Sequence, residues 1–503
     1  MATARLFPVV LCTAIALTST VSAQTLRVGL SGDPDLLDPD ISRTLVGRHV
    51  FEAMCDKLLD YDAELNFIPR LATAWEWSED GLSLTLELRE GVVFHDGTPF
   101  DAAAVQANFD RSLTMPESGR RTDLGALESV DVVDEFTARL NLSRPFAPML
   151  AQLSDRAGIM ISPQAAEAAG ADFGVAPVCA GPFQFVERVS QDRIVVERFA
   201  DYWDAESIHL DGVIFRIHPD ATVRLSNLRS GDLDLIERAA PTDLPVIEGD
   251  PRVTSASATE LGYQGITINL DNSPSEANDL ARSPLVREAL DLSIDRAVLN
   301  QVAFDGLYTP GHKFLPPNSP FFPEGAEMPG RDVERARALL EEAGIPNPRF
   351  TLLVPNDTER LAISEIIQAM AADAGFDVRL EVVEFATSLQ RSSSGDFDAY
   401  LLAWSGRIDP DGNIYQFGAC DGPQNDSGYC NEAADAALDN ARATVDFDAR
   451  VGYYQEAFDI FNESRPRIYI YHRTWIFAHT ADLSGFEANP DGLMRYRGLA
   501  LAR

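Results

Sequence analysis

The chain has 503 residues, of which 45% are hydrophobic and 24% charged, so it is long enough to bury a large core in two or three domains. Its formal net charge of -37 argues against nucleic acid or an anionic membrane surface as a partner, because both would repel it. We expect a monomer with no nucleic-acid partner.

The first 23 residues have the pattern of a cleavable signal peptide. Arg5 precedes an apolar run from Leu6 to Leu17, and small residues lead up to Ala23, just before Gln24. The apolar run is too short for a membrane span. The sequence therefore predicts a periplasmic protein, secreted through a cleavable signal peptide, whose mature chain begins at Gln24.

Four cysteines remain after this cleavage, an even number for an oxidising compartment. Cys420 and Cys430 bracket a polar, turn-rich loop and are expected to pair locally, so that by default Cys55 pairs with Cys179. No CxxC or HxxH spacing occurs in the chain. We therefore expect structural disulfides, no metal site and no cofactor.

Strand and helix signals alternate along the mature chain. Residues 82 to 88 alternate apolar and polar side chains as a strand does, and Asp101 can cap the helix that follows. Asp220 and Asp332 begin further helices in the same way, and Ser283 does so with a proline directly behind it. This alternation predicts an α/β protein.

The segment from Phe350 to Trp404 is the most informative. It has the pattern of strand, amphipathic helix, strand, short helix and buried strand, and two such crossovers imply a parallel sheet. Ligands of parallel sheets bind in the crevice beyond the carboxyl ends of the strands. Trp404 and Arg407 lie where the last of these strands ends, so we expect the Arg407 guanidinium to face a crevice.

Five segments stand in the order found in one known protein family. They are "LATAWEWSEDGLSLTLELREGVVFHDGTPFDAAAVQANFDR", "CAGPFQFVERVSQDRIVVERFADYW", "LDGVIFRIHPDATVRLSNLRSGDLDLI", "PLVREALDLSIDRAVLNQVAFDG" and "DVERARALLEEAGI". Together they resemble the family 5 extracellular solute-binding proteins of ABC importers, which include dipeptide-, oligopeptide-, glutathione- and nickel-binding proteins. The resemblance implies a protein that captures a short peptide or amino-acid-derived solute and delivers it to membrane permease subunits.

The resemblance also implies an α/β architecture of the two-lobed periplasmic binding protein type, with an additional inserted domain and the ligand cleft between the lobes. The links between the lobes would act as a hinge, and a ligand that touches both lobes would favour closure. The implied segments are the signal peptide at 1-23, lobe one at 24-47, 180-262 and 481-503, the inserted domain at 48-179, and lobe two at 263-480.

The same resemblance draws attention to the residues after Trp404. Dipeptide-binding members carry an acidic residue after the Trp-x-Gly that ends this strand, whereas here "WSG" is followed by Arg407. A guanidinium binds a carboxylate through two parallel hydrogen bonds but cannot accept one from an ammonium group. We therefore expect Arg407 to hold an anionic group of the ligand beside Trp404. The alternative is that Arg407 only pairs with Asp409 or Asp411 to fix its loop.

Five further residues are candidates for ligand contact. Asp409 would receive a ligand amine or cap its own loop. Arg360 lies near a position where dipeptide-binding relatives carry a carboxylate-binding arginine, or else in a solvated first turn. Tyr263 and Gln264 fall where the family re-enters the second lobe along the cleft. Asp35 lies near the cleft in relatives, or else in a surface turn.

Two other classes of function stay open. A secreted hydrolase would need a carboxylate pair such as Asp409 and Asp411, but residues two apart around a proline do not readily face each other across a substrate. No GxSxG or HExxH motif is present either, so we expect no enzyme. A carrier of another solute class, an oligosaccharide, an opine or a chelated metal, is the second alternative.

Overall fold

The computed structural model describes residues 24–271, 278–322 and 327–502. The predicted signal peptide, 1-23, lies outside the described residues. In the ranges given, no helix is long and apolar enough to cross a membrane.

The described residues form strands and helices that alternate along the chain. The strands, numbered in chain order, are β1 Thr25–Leu30, β2 Leu59–Tyr61, β3 Phe67–Pro69, β4 Ala72–Trp77, β5 Ser83–Leu88, β6 Leu127–Asp134, β7 Thr137–Leu142, β8 Phe183–Val189, β9 Arg193–Arg198, β10 Gly212–Ile217, β11 Leu235–Ile236, β12 Val253–Thr259, β13 Tyr263–Ile268, β14 Thr309–Pro310, β15 Arg349–Pro355, β16 Asp377–Val383, β17 Ala399–Trp404, β18 Arg467–His472, β19 Thr474–Thr480, β20 Leu483–Ser484 and β21 Ala500–Leu501. The α-helices are α1 Leu45–Met54, α2 Ala102–Thr114, α3 Arg120–Leu124, α4 Met149–Leu153, α5 Pro163–Ala169, α6 Ala221–Ser230, α7 Leu244–Glu248, α8 Asp279–Arg282, α9 Pro284–Ser293, α10 Arg296–Phe304, α11 Val333–Glu342, α12 Thr358–Ala374, α13 Phe385–Ser393, α14 Asp411–Gly418, α15 Glu432–Ala443 and α16 Phe447–Ser464.

The first sheet has seven strands in the order β12-β19-β11-β1-β10-β9-β8. Strand β1 is parallel to both of its neighbours, β10 and β11, and the other pairs are antiparallel. Leu26, Val28 and Leu30 alternate along β1 and are fully buried, because side chains of a strand point to opposite faces in turn. Helix α1 packs Val50 and Phe51 into the same core.

A four-stranded sheet, in the order β4-β5-β7-β6, forms a second core with α2. Asp101 begins α2, as predicted, by accepting a hydrogen bond from a backbone N–H of the first turn. The residues of this core run from Leu58 to Met160, with one further alanine. The ends of the proposed inserted domain, 48-179, pack instead on the first sheet, where a disulfide joins Cys55 to Cys179.

The second large sheet has the strand order β14-β18-β13-β17-β15-β16. Strand β15 is parallel to both β16 and β17, which confirms the parallel sheet predicted for this segment. Asp357 caps the start of α12, and Gly375 ends it with a left-handed backbone at φ 107°. Helices α14 to α16 add a further apolar layer, in which a second disulfide joins Cys420 to Cys430. Both disulfide pairings agree with the expectation from the sequence.

The chain crosses between the two large sheets at two short links. One link is residues 260 to 262, between β12 and β13, and the other is Arg473, between β18 and β19. The proposed division ended lobe two at residue 480, but β19 pairs with β12 and β11 in the first sheet. The crossing therefore lies one strand earlier, and the sequence gives little sign of it because only Arg473 separates the two strands. The Glu260 carboxylate accepts the Arg473 N–H at 2.6 Å and so joins the two links.

Candidate ligand site between the two lobes

The loop that carries Arg407 is fixed against the link between the sheets. Strand β17 ends at Trp404, and Gly406 follows with φ 80°, where an added Cβ would lie 2.2 Å from the Leu261 carbonyl carbon. The Asn413 Oδ1 accepts the Arg407 N–H at 2.7 Å and the Trp404 Nε1–H at 3.0 Å. The position of Arg407 is therefore set by the backbone and by one buried amide side chain.

The Arg407 side chain reaches across from the second large sheet to the part of the chain attached to the first. Its Nε lies 2.6 Å from Asp155 Oδ2, and its guanidinium lies 4.5 Å from the Trp404 ring centre. Close by, the Ala147 N–H donates to the Arg442 carbonyl at 2.7 Å, a second contact between the same two parts. Arg407 is thus an interface residue, and its side chain is 13% exposed.

Three more arginines surround the same aspartate. Arg48 of α1 places its Nε 2.9 Å from Asp155 Oδ1. Arg156 follows Asp155 in the chain and donates from Nη1 to the Ser42 carbonyl at 2.9 Å. Arg120 begins α3 and pairs with Asp123 at 2.6 Å. All three side chains are at least nine-tenths buried.

The buried charges perturb one another strongly. Burial alone would raise the pKa of Asp155, but Arg407 and Arg48, with the other two arginines, hold it well below its usual range. Burial lowers the pKa of Arg156 well below its usual value, and repulsion from Arg120 lowers it further. Asp155 is therefore an ionised carboxylate around which several guanidinium groups compete.

Arg48, Arg120, Arg156 and Arg407 together form an arginine cluster. Several N–H groups of this arginine cluster have no hydrogen-bond acceptor. The buried nitrogens of the cluster without a hydrogen-bond partner among the described residues are Arg48 Nη1, Arg120 Nε and Arg156 Nε, together with Arg48 Nε, which is in ion-pair contact with Asp155 but forms no hydrogen bond. Four guanidinium groups face two carboxylates directly, those of Asp155 and Asp123, while Asp40, which pairs with Arg111, also acts on Arg120. The cluster itself therefore has more guanidinium groups than directly paired carboxylates. Such a site can accept an anion.

Asp409 and Asp411 are engaged within the second lobe and not with Arg407. Asp409 accepts a hydrogen bond from Arg450 at 2.8 Å, and Asp411 pairs with Arg442 at 2.5 Å. The loop-bracing alternative for Arg407 is thus wrong, since neither carboxylate pairs with it. The arrangement gives no support to Asp409 as the group that receives a ligand amine.

Arg360 lies in the first turn of α12, where it pairs with the capping residue Asp357 at 2.5 Å. Its guanidinium also lies 5.5 Å from the Phe385 ring centre. The structure places these contacts within the second lobe and does not bring Arg360 together with the arginine cluster.

Tyr263 and Gln264 are internal residues of β13, with exposed fractions of 1% and 3%. The Tyr263 hydroxyl donates to the Asn413 carbonyl at 3.2 Å and accepts a hydrogen bond from Arg467. Gln264 donates to Glu260 at 3.1 Å, at the first link between the sheets. Through these hydrogen bonds, the two side chains stabilise the link between the sheets and the Arg407 loop.

Asp35 organises the loop before α1. Its carboxylate accepts the Arg43 N–H at 2.7 Å and the Ser42 and Thr44 hydroxyls at 2.8 Å each. Because the Ser42 carbonyl receives Arg156, Asp35 supports the arginine cluster indirectly. Asp35 therefore stabilises a turn, which was the alternative to ligand contact for this residue.

In the described part of the chain, no group of three or more His, Cys, Asp or Glu side chains is placed to hold a metal ion.

The chain is similar to known proteins over nearly its full length. Residues 66–425 match the family model described as bacterial extracellular solute-binding proteins, family 5 Middle. The glutathione-binding protein GsiB of Pectobacterium atrosepticum is 28% identical over 473 residues, which are 92% of this chain and 91% of that protein.

Solved structures share the architecture. The binding protein AgaA of A. tumefaciens R10, in complex with agropinic acid, has a TM-score of 0.85 and 27% identity, and the match covers 95% of this chain and 99% of that one. DppA of Helicobacter pylori, in complex with the peptide STSA, has a TM-score of 0.87 at 24% identity, over 95% and 98% of the two chains, and shows the same fold. The predicted two-lobed periplasmic binding protein fold is confirmed, and the chain belongs to the family 5 bacterial extracellular solute-binding proteins.

Proposed function

We propose that this protein captures an anionic solute, a short peptide or an amino-acid derivative, and that Arg407 holds an acidic group of that solute between the lobes. As a member of its family, the chain is the solute-binding component of an ABC importer and works outside the cytoplasmic membrane with permease subunits. The observation that carries the proposal is the position of Arg407, which reaches from one lobe to the other and pairs with Asp155.

The electrostatic reason lies in the contrast between the surface and the interface. A protein of net charge -37 repels anions over most of its surface, so an anionic solute needs a local excess of positive charge. A guanidinium in a partly dehydrated cleft supplies that charge at low effective dielectric, where it attracts an anion more strongly than in water. Its planar fork also matches a carboxylate.

The relatives bear on the solute class. GsiB is named for glutathione, and AgaA was solved with agropinic acid. Both compounds are acids, which agrees with a cationic cleft here. We propose the same broad class for this chain, ahead of a neutral oligosaccharide or a chelated metal.

We propose binding without chemical turnover. The family consists of solute-binding proteins, and the two carboxylates that a hydrolase would have needed, Asp409 and Asp411, are each paired with a buried arginine. We also expect the protein to work as a monomer, secreted to the periplasm through its predicted signal peptide, 1-23.

The test is to identify the natural solute. The protein should be purified from the periplasm under mild conditions, and native mass spectrometry should show one bound molecule that carries an acidic group. Arg407→Gln should lose most of that molecule, whereas Arg391→Gln should retain it, because Arg391 pairs with Glu381 and Asp396 away from the interface. A neutral or cationic solute, or one recovered in chemically altered form after long incubation, would refute the proposal.

A further inference from the structure

We propose that Arg48, Arg120 and Arg156 form a second anion subsite beside Arg407, so that the solute carries at least two acidic groups. This inference rests on the proposed function, in which Arg407 holds the first acidic group. It specifies the solute class as a dicarboxylic compound or a peptide with an additional acidic group.

The three arginines come from separate parts of the chain and meet at one carboxylate. Arg48 lies in the middle of α1, Arg120 begins α3, and Arg156 follows the turn after α4. Their exposed fractions are 4%, 5% and 6%. A buried guanidinium N–H without an acceptor is costly, and here all three arginines carry at least one such nitrogen. A bound anion would supply the missing acceptors.

The surrounding carboxylates have other partners. Glu52 and Asp491 act on Arg48, but Glu52 pairs with Lys57 at 2.7 Å and Asp491 pairs with Arg495 at 3.0 Å. Asp40 acts on Arg120, but its ion-pair partner is Arg111. None of these three carboxylates supplies a hydrogen-bond acceptor to the unpartnered nitrogens of the cluster.

A solute with one acidic group would satisfy only part of the cluster. One carboxylate bound at Arg407 would leave the unpartnered nitrogens of Arg48, Arg120 and Arg156 without an acceptor. A second acidic group directed at these residues would supply one. Such a solute would contact both lobes through charged groups, which is what a ligand must do to favour closure.

The experiment compares diacids with their monoamides. The probes are the straight-chain dicarboxylates from succinate to pimelate and glutathione, each against the derivative in which one carboxylate is an amide. Binding to the solute-free mature protein is measured by calorimetry at constant pH and ionic strength. Wild type, Arg156→Gln and Arg407→Gln are compared, with Arg391→Gln as the control for general loss of an arginine.

We expect at least one diacid to bind wild type at least tenfold more tightly than its monoamide. Arg156→Gln should reduce this ratio to about one while monoamide binding remains. The ratio is the deciding readout, because relief of charge repulsion and loss of the Arg156 hydrogen bond to the Ser42 carbonyl change the melting temperature of Arg156→Gln in opposite directions. A cluster that served only structure would leave the ratio unchanged.

The failure of this inference is distinguishable from failure of the proposed function. If monoamides bind wild type as tightly as the diacids, and Arg407→Gln abolishes both, the second subsite is refuted and the anionic solute at Arg407 stands. If no acid binds and the solute from the periplasm is neutral, both proposals fail. The wild-type comparison decides the matter even where Arg156→Gln does not fold.

Discussion

Replacement of Arg407 by alanine tests the site at its centre. The substitution removes the ion pair with Asp155, the hydrogen bond to the Gly406 carbonyl at 2.6 Å and the stacking on Trp404. Asp155 is not left unpaired by this change, because Arg48 remains 2.9 Å away. The substitution should therefore affect the bound state far more than the folded state.

The expected magnitudes differ accordingly. Truncation of one partner of a buried charge pair at an interface costs about 2 to 5 kcal/mol of binding free energy. Because about 1.4 kcal/mol corresponds to a tenfold change in Kd, affinity should fall by a factor of about 30 to several thousand. The loss of folding stability should be about 1 kcal/mol or less, since relief of repulsion among the arginines offsets the lost pair.

The assay is calorimetric titration with the solute recovered from the periplasm, together with thermal unfolding of the solute-free protein. Arg407→Lys should recover only part of the affinity, because the ammonium cannot form the paired hydrogen bonds of the guanidinium. Arg391→Ala serves as the matched control. An unchanged Kd in Arg407→Ala with a clearly lower melting temperature would mean that Arg407 is a structural contact between the lobes and not a ligand residue.

Three further predictions follow from the same structure. Asp155→Asn removes a carboxylate from the cluster and so raises its uncompensated positive charge. The melting temperature of the solute-free protein should therefore fall, and added solute should increase the melting temperature by more than it does in wild type. Equal increases in the two proteins would contradict this prediction. Removal of the Cys420–Cys430 disulfide, which closes a loop of sequence separation 10, should cost about 2 to 3 kcal/mol in urea unfolding, and the unfolded oxidised protein should show no free thiol. Burial lowers the pKa of His472 from 6.5 to about 4, so the unfolded chain binds the extra proton between these values. The stability contribution of His472 is therefore complete above pH 6.5 and decreases as the pH falls towards 4, by about 2 kcal/mol at pH 5. Burial lowers the pKa values of His95 and His312 to about 4 as well, so His472→Gln should make the stability curve less steep between pH 7 and 5 without flattening it. An equal slope in His472→Gln and wild type would count against this prediction.

Much of the fold was predictable because local signals and tertiary structure agree. Asp101, Asp220, Ser283 and Asp332 each cap a helix in the structure, where a short polar side chain accepts a hydrogen bond from the first turn. The parallel arrangement around β15 followed from the length of its crossovers. The membership of β19 did not, since β18 and β19 are both apolar and only one residue separates them.

The site was only partly predictable. Arg407 and Trp404 were found because they lie at the end of a recognisable strand, and their contact is present in the structure. Their charged partner Asp155 lies about 250 residues earlier in the chain, in a segment without a distinctive motif. Arg48 likewise lies in an ordinary amphipathic helix. Pairing between such distant residues depends on how the lobes meet, which no local pattern encodes.

If the arginine cluster holds the solute as proposed, Asp155 would connect binding with release. Its carboxylate pairs with both Arg407 and Arg48, which reduces the repulsion among the four guanidinium groups where the lobes meet. An incoming acidic group must compete with this carboxylate, and the free energy of that exchange is smaller than that of pairing a bare charge. On the proposed mechanism this competition would limit the affinity and allow the solute to leave when the lobes separate. The guanidinium nitrogens that Asp155 does not pair with would favour the solute over the internal carboxylate.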